Sequence, residues 1–265
     1  MTCAPARLRI QSCLVISARR HHGFSVVELL ICIGVVALLL SLALPALNAA
    51  RDSAQRAICS SNLRQINVGW QGYLAEHKEQ FPGTSAVPEW SYGGLDFVGP
   101  ARQPVLASSK PINPYMVPDI RSASSTEMAL FRCPSDAGLW TRGRYVQGRP
   151  PASELNFRTC YATYGTSYLA NPLLMDSQAA GLSGDARPLF LHELTVNPSR
   201  LIVAGDPAWA YNARFSPLIP RVDARLEARW HRREDAGNAL YADGSVRFMD
   251  FSSPTTDVTP SPAVR

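Results

Sequence analysis

The chain has 265 residues, of which 46% are hydrophobic and 18% charged, with a formal net charge of +5. That length allows one or two domains and an ample core. The basic excess is no nucleic-acid footprint: Arg7, Arg9, Arg19 and Arg20 all precede Phe24 with no acid among them, leaving +1 for everything after, whereas nucleic acid asks for a clustered basic face.

Residues 1–23 open mildly apolar and close on Arg19-Arg20-His21-His22-Gly23. Positive charge just before an apolar helix favours keeping that side in the cytoplasm, so the carboxyl-terminal bulk is expected outside the inner membrane. The run from Phe24 to Leu47 follows. As a helix it would reach roughly 36 Å, enough for a bilayer core of about 30 Å. Its single charge is Glu28. An acid at that depth is costly, so a function is expected of it by default. The alternatives are a non-cleaved anchor and a secretory signal peptide cut in Leu47-Asn48-Ala49-Ala50, which would release a soluble protein. A signal core is usually about 7–15 residues long and carries no acid, unlike this one.

Beyond Pro45 the pattern turns amphipathic. Cys59, Leu63, Ile66, Trp70 and Tyr73 recur at steps of four and three, with Arg51, Asp52, Arg56, Arg64, Gln65 and Gln71 largely elsewhere, which predicts the core-facing stripe of a helix. One helix is expected from Phe24 to about Lys78, kinked at Pro45 and ended by Phe81-Pro82-Gly83. From Gly83 to Ser125 prolines are too frequent for long elements, and loops with short strands near Phe97-Val98 are expected. Strands are predicted at Met128–Arg132, Ala162–Leu169, Leu201–Ala204, Asn238–Ala242 and Val246–Phe248. Asp243-Gly244 separates the last two and predicts a two-residue hairpin with both central residues at positive φ. The tail, 252–265, is expected to be disordered. The fold class is α+β, a long amino-terminal helix laid on a small antiparallel sheet. Its expected divisions are 1–23, 24–47, 48–80, an extracytoplasmic body 81–251, and 252–265.

Gly23 before Phe24, Glu28 five residues on, the apolar run and Pro45 together resemble the type IV prepilin and type II secretion pseudopilin amino terminus. Ala57-Ile58-Cys59-Ser60-Ser61-Asn62-Leu63-Arg64-Gln65-Ile66 resembles the pilin-like proteins of planctomycete- and verrucomicrobia-type bacteria, as do Phe131-Arg132-Cys133-Pro134-Ser135-Asp136, Thr166-Ser167-Tyr168 and His231 followed by Asp243-Gly244. In the family nine residues intervene between the late histidine and its Asp-Gly; here eleven intervene, Arg232 to Ala242. The resemblance implies a leader removed by prepilin peptidase between Gly23 and Phe24, methylation of the new Phe24 amine, and packing of the apolar helix into a type II secretion pseudopilus or pilus-like filament. Its implied partners are other pilin or pseudopilin subunits, the membrane, and an assembly platform with a separate ATPase. By the same resemblance Glu28 pairs with the methylated amine of a neighbouring subunit; the simpler reading is a polar residue near the headgroups.

Cys3 and Cys13 lie in the leader and Cys32 in the apolar run, leaving Cys59, Cys133 and Cys160 for an oxidising exterior. Cys59 and Cys133 sit in the two family-like contexts, and a disulfide between them is expected; the rival is a zinc site, for which no C-x-x-C pair exists. For Asp243-Gly244 the readings are a hairpin turn or the family motif. For His231 they are a hydrogen-bonded loop residue or a site for calcium or another metal shared with Asp206, Asp235 or Asp243, prompted by metal-binding loops known among pseudopilins. No cofactor, resident metal or nucleic acid is expected. No nucleophile elbow, zincin, Walker or dinucleotide motif occurs, and His192-Glu193 lacks a second histidine, so no enzyme is expected. The second functional reading is a membrane-anchored binder of a ligand such as a glycan, prompted by Trp90, Tyr92 and Trp140.

Overall fold

The computed structural model describes residues 25–83, 89–98, 103–117, 127–138, 140–141, 159–175, 187–209, 226–227, 230–233 and 236–251. Gly23, Phe24, the rest of the leader, Asp235 and the tail lie outside them. The chain divides into two compact units, Met1–Asn48 and Ala49–Arg265.

Helix α1 (Val26–Glu76) runs through Pro45. Its start is a capping box. The Ser25 hydroxyl accepts from Val27 N at 3.3 Å, and Ser25 N donates to Glu28 Oε2 at 2.9 Å, so Ser25 and Glu28 satisfy donors that a helix start otherwise leaves open. In the first unit every side chain from Val26 to Asn48 is exposed. Such an apolar surface calls for a cover other than water.

In the second unit α1 changes solvent. Cys59, Leu63, Ile66, Trp70 and Leu74 are buried. Tyr73 is half-buried and stacks on His77 at 3.8 Å, so Leu74 takes the inner position predicted for it. The helix ends at Glu76, before Phe81-Pro82-Gly83. Glu79 N donates to Leu74 O at 2.8 Å, and Lys78 and Glu79 have φ of 55° and 63°. This is a Schellman ending with lysine where glycine is usual. The chain then turns back, Phe81 N donating to Leu189 O at 2.9 Å.

The main sheet has the order β4–β5–β7–β8, all antiparallel, from β4 (Leu169–Ala170), β5 (Ile202–Gly205), β7 (Ala236–Tyr241) and β8 (Val246–Asp250). Every residue of β5 and β7 is buried, which suits central strands covered on both faces. Two two-stranded pairs accompany it: β1 (Phe97–Val98) with β2 (Pro104–Val105), and β3 (Trp140–Thr141) with β6 (Leu226–Glu227). The arrangement is α+β.

Two predicted strands are not strands. Met128–Arg132 falls in a 3₁₀ turn, Glu127–Phe131, and Ala162–Leu169 begins inside helix α2, Cys160–Tyr164. The reason for α2 is capping at both ends: Thr159 accepts from Ala162 N, and Gly165 closes the helix at φ 75°. A Cβ on Gly165 would come within 2.1 Å of Leu95 O. Helix α3 (Pro172–Met175) follows β4.

The turn between β7 and β8 also differs from the expected form. Only Gly244 has positive φ, 82°. Gly244 N donates to Tyr241 O at 2.9 Å and Tyr241 N to Ser245 O at 2.9 Å. These bonds define a three-residue loop, a type I turn closed by a left-handed glycine, instead of a two-residue turn with two such positions. The Asp243 carboxylate accepts from Ser245 N at 2.9 Å, so this residue works as a turn-former.

The core gathers on the buried stripe of α1. Trp70 stacks on Tyr92 at 5.4 Å and meets Phe81 at 6.0 Å. Each such fully buried aromatic contributes about 1.5–3 kcal/mol. Trp90 stacks on Tyr164 at 4.4 Å, and Trp90 and Tyr92 are both buried, so these two rings cannot present a platform to a sugar. The side chain of Trp140 is outside the description.

Candidate functional site

Three polar constructions sit inside the second unit, and each ties distant segments together. The first is Lys110, 1% exposed. Its Nζ donates to Gly93 O at 2.9 Å, Tyr164 O at 3.2 Å and Trp90 O at 3.4 Å, and lies 4.8 Å from the Phe97 ring centre. Burial pulls the amine down to about 7, while the Asp96 carboxylate acts to raise it. Beside it Asn113, fully buried, exchanges two hydrogen bonds of 2.8 Å with Gly94.

The second is Asp136, at the end of the Phe131–Asp136 motif. One carboxylate oxygen accepts from Gly138 N and Cys160 N, each at 2.9 Å; the other accepts from Tyr161 N at 2.9 Å and the Ser167 hydroxyl at 2.6 Å. It therefore caps α2 from outside, a charge-assisted use of the free amides at a helix start. Burial raises its pKa, against the lowering by these four donors.

The third is a buried cluster. Cys59 on α1 and Cys133 form a disulfide with Cα atoms 5.3 Å apart, closing 74 residues of separation. A cross-link of that span stabilises by about 4 kcal/mol in the chain-entropy model. Against it, 3.8 Å from Cys133 Sγ, lies His231 Nε2. That nitrogen is 3.0 Å from Asp206 Oδ2 and 3.3 Å from Asn238 Nδ2. Asp206 Oδ2 also accepts from Asn238 N at 2.7 Å and Asn238 Nδ2 at 3.0 Å. All these side chains are buried.

The backbone is shaped to bring them together. Asp206 follows β5, and Asn238 presents its amide from β7. Gly237 is required beside it, because a Cβ there would stand 2.7 Å from Asp206 Cβ. His231 holds a left-handed φ of 53°, a conformation costing a non-glycine residue about 1–3 kcal/mol. Among the described residues, Asp206 Oδ1 and His231 Nδ1 are buried and meet no hydrogen-bond partner.

Of the residues singled out from sequence, Cys59, Cys133 and His231 thus meet in one place. Asp206 stands with them; Asp243 and Gly244 do not, forming the β7–β8 turn. Glu28 is engaged with Ser25, and Pro45 lies inside α1. His192 and Glu193 belong to a surface turn, His192 Nδ1 lying 3.6 Å from Glu79 and Glu193 paired with Arg187 at 2.7 Å. Among the described residues Cys32 is an exposed free thiol and Cys160 a buried one. Sequence reasoning missed Lys110 and assigned no role to Asn238, read only as a strand residue, or to Asp136, read only as the end of the Phe131–Asp136 motif. For Asn238 a signal existed: glycine inside a strand marks close backbone approach.

These features define the class first: an α+β protein with an amino-terminal apolar helix of membrane-spanning length and a body tied by a buried disulfide. A family model described as "Protein of unknown function (DUF1559)", SBP_bac_10, matches residues 48–190, just over half of the chain. The chain belongs to this family, one of pilin-like proteins of planctomycete and verrucomicrobia type. The match includes Cys59 and Cys133 and excludes residues 23–28, Asp206, His231 and Asn238. No curated protein and no solved structure matches the chain.

Proposed function

We propose that this chain is a pilin-like structural subunit. It is made as an inner-membrane precursor with its basic leader in the cytoplasm, cut by prepilin peptidase between Gly23 and Phe24, methylated at Phe24, and built into a type II secretion pseudopilus or type IV pilus-like filament. The observation that carries this reading is the first half of α1: an unbroken exposed apolar surface from Val26 to Leu47 whose one charge is Glu28. In a bilayer that surface faces lipid; in a filament it faces copies of itself, and contacts between helices replace contacts with lipid. A head-to-tail contact that does not close produces an open helix of subunits.

Glu28 has a place in both states. In the single chain its carboxylate reaches back to Ser25 N. Cleavage after Gly23 leaves a positive amine one residue before that nitrogen. In an apolar surrounding, opposite charges at such range attract far more strongly than in water. Force for extrusion comes from a separate ATPase of the assembly platform.

The test is the intact mass and amino-terminal sequence of the mature protein from its own membranes. N-methyl phenylalanine at position 24 is expected, with Glu28→Gln processed normally but left out of filaments. A mature start near Ala50 or Arg51 would overturn the reading.

A further inference from the structure

One ligand-type atom each from Cys59, Cys133, Asp206 and His231 lies within 4.8 Å of the other three, all buried. Two thiolates, an imidazole and a carboxylate are a donor set that a borderline-soft divalent ion takes in tetrahedral array, with metal–sulfur distances of about 2.3 Å and metal–nitrogen and metal–oxygen distances of about 2.0–2.2 Å. Ligand atoms around such an ion stand between three and four ångströms apart, inside the span seen here.

Two further observations separate the cluster from an ordinary polar spot in a core. Among the described residues Asp206 Oδ1 and His231 Nδ1 are buried without a hydrogen-bond partner; single atoms such as Trp70 Nε1 and Trp209 Nε1 share that state elsewhere in the core, but here two such atoms fall on adjoining ligand-type side chains. The backbone of His231 is held left-handed to deliver its ring, the kind of strain that gathers where a side chain must be aimed. In the disulfide form, however, the sulfurs are bonded to each other and are not thiolate ligands.

We infer that the cluster is a two-state centre: a disulfide when oxidised, and a Cys59–Cys133–Asp206–His231 site for an ion of the zinc class when reduced. Reduction requires a dithiol, which gives two electrons and two protons as the Cys59–Cys133 bond breaks, yielding two cysteine thiols and one disulfide in the reductant. Binding of the ion releases both thiol protons to solvent, as thiolates are the ligands. Nε2, the atom facing sulfur and carboxylate, is the imidazole ligand, and a neutral ring that binds the ion there carries its proton on Nδ1. Asn238 donates to Asp206 Oδ2 in the oxidised form and is placed to orient that carboxylate as a ligand.

The centre thus offers a chain that has not met an oxidant a second means of joining α1, the Cys133 turn, the end of β5 and the His231 turn. It does not depend on whether the chain enters a filament.

The experiment uses the full chain in detergent, with Cys3, Cys13 and Cys32 changed to Ser and Cys160 to Ala, reduced under argon and titrated with Co²⁺ as the spectroscopic probe. One Co²⁺ per chain is expected, with thiolate charge-transfer absorption and the visible bands of tetrahedral cobalt, bleached by added Zn²⁺. The oxidised chain should stay silent. His231→Gln and Asp206→Asn should each weaken binding by roughly tenfold or more. Near-ultraviolet circular dichroism of each oxidised variant establishes that it is folded. The inference is overturned if the reduced chain takes up no Co²⁺. It is equally overturned if the spectrum and affinity are unmoved in both variants, which would place the ion elsewhere.

Discussion

Lys110 offers a direct test of how the core balances burial against hydrogen bonding. Its amine has three carbonyl partners, and only the ammonium form carries three N–H donors to fill them. Burial opposes that charge and pulls the folded-state value from 10.5 to about 7. The sign follows from proton counts. Between pH 7 and the ordinary value, the unfolded chain holds a proton at this amine that the native chain has given up. Stability therefore rises with pH across that window, by up to about 1.4 kcal/mol per pH unit. From pH 7 to pH 10 the accumulated gain is about 4 kcal/mol. Below pH 7 both states are protonated and this dependence vanishes. The assay is urea denaturation of the full chain in detergent at half-unit steps from pH 6 to pH 10, alongside Lys110→Met, whose curve is subtracted to remove other titrating groups. Carbon NMR of the lysine Cε follows the same titration in the unmutated chain. A subtracted curve that stays flat to pH 10, with Cε unchanged, would refute the reasoning: the three carbonyls would then hold the ammonium against its burial.

Two further outcomes are expected from the same denaturation assay. Asp136→Asn should lose about 2–4 kcal/mol, because an amide group would face two of the four donors that now point at the carboxylate, whereas Ser167→Ala should lose about 1 kcal/mol; near-equal small losses would mean that the cap contributes little. Lys78→Gly should gain about 0.5–1 kcal/mol by relieving the left-handed position at the end of α1, and a loss there would show that the lysine side chain or unfolded-state entropy outweighs backbone conformation.

What the sequence made legible follows the range of the forces involved. The stripe on α1 repeats every three or four residues, so the helix and its inward face could be read from local periodicity. So could the strand regions near Leu201, Asn238 and Val246, where apolar runs border turn residues. Met128–Arg132 and Ala162–Leu169 were misassigned because short apolar runs do not separate strand from helix. For α2 the deciding group is partly remote: Asp136 stands 24 residues before Cys160 and caps it from another segment. The Asp-Gly hairpin was visible, but its loop length depends on the register of β7 against β8. In the buried cluster, Cys59, Cys133 and His231 were marked by resemblance. The joining of Asp206 and Asn238 to them depends on adjacent strands β5 and β7, which no local pattern fixes.

The Cys59–Cys133 bond also alters how the chain bears load. When tension is applied between the amino-terminal part of α1 and the end of the chain, the covalent path runs from Cys59 straight to Cys133. The intervening segment hangs off this path as a closed loop and cannot be drawn out. At about 3.4 Å per residue, roughly 250 Å of slack is withheld. Stretching is then confined to chain before Cys59 and after Cys133, and the Trp70–Tyr92 stack, whose residues both lie within the loop, is bypassed by the pull.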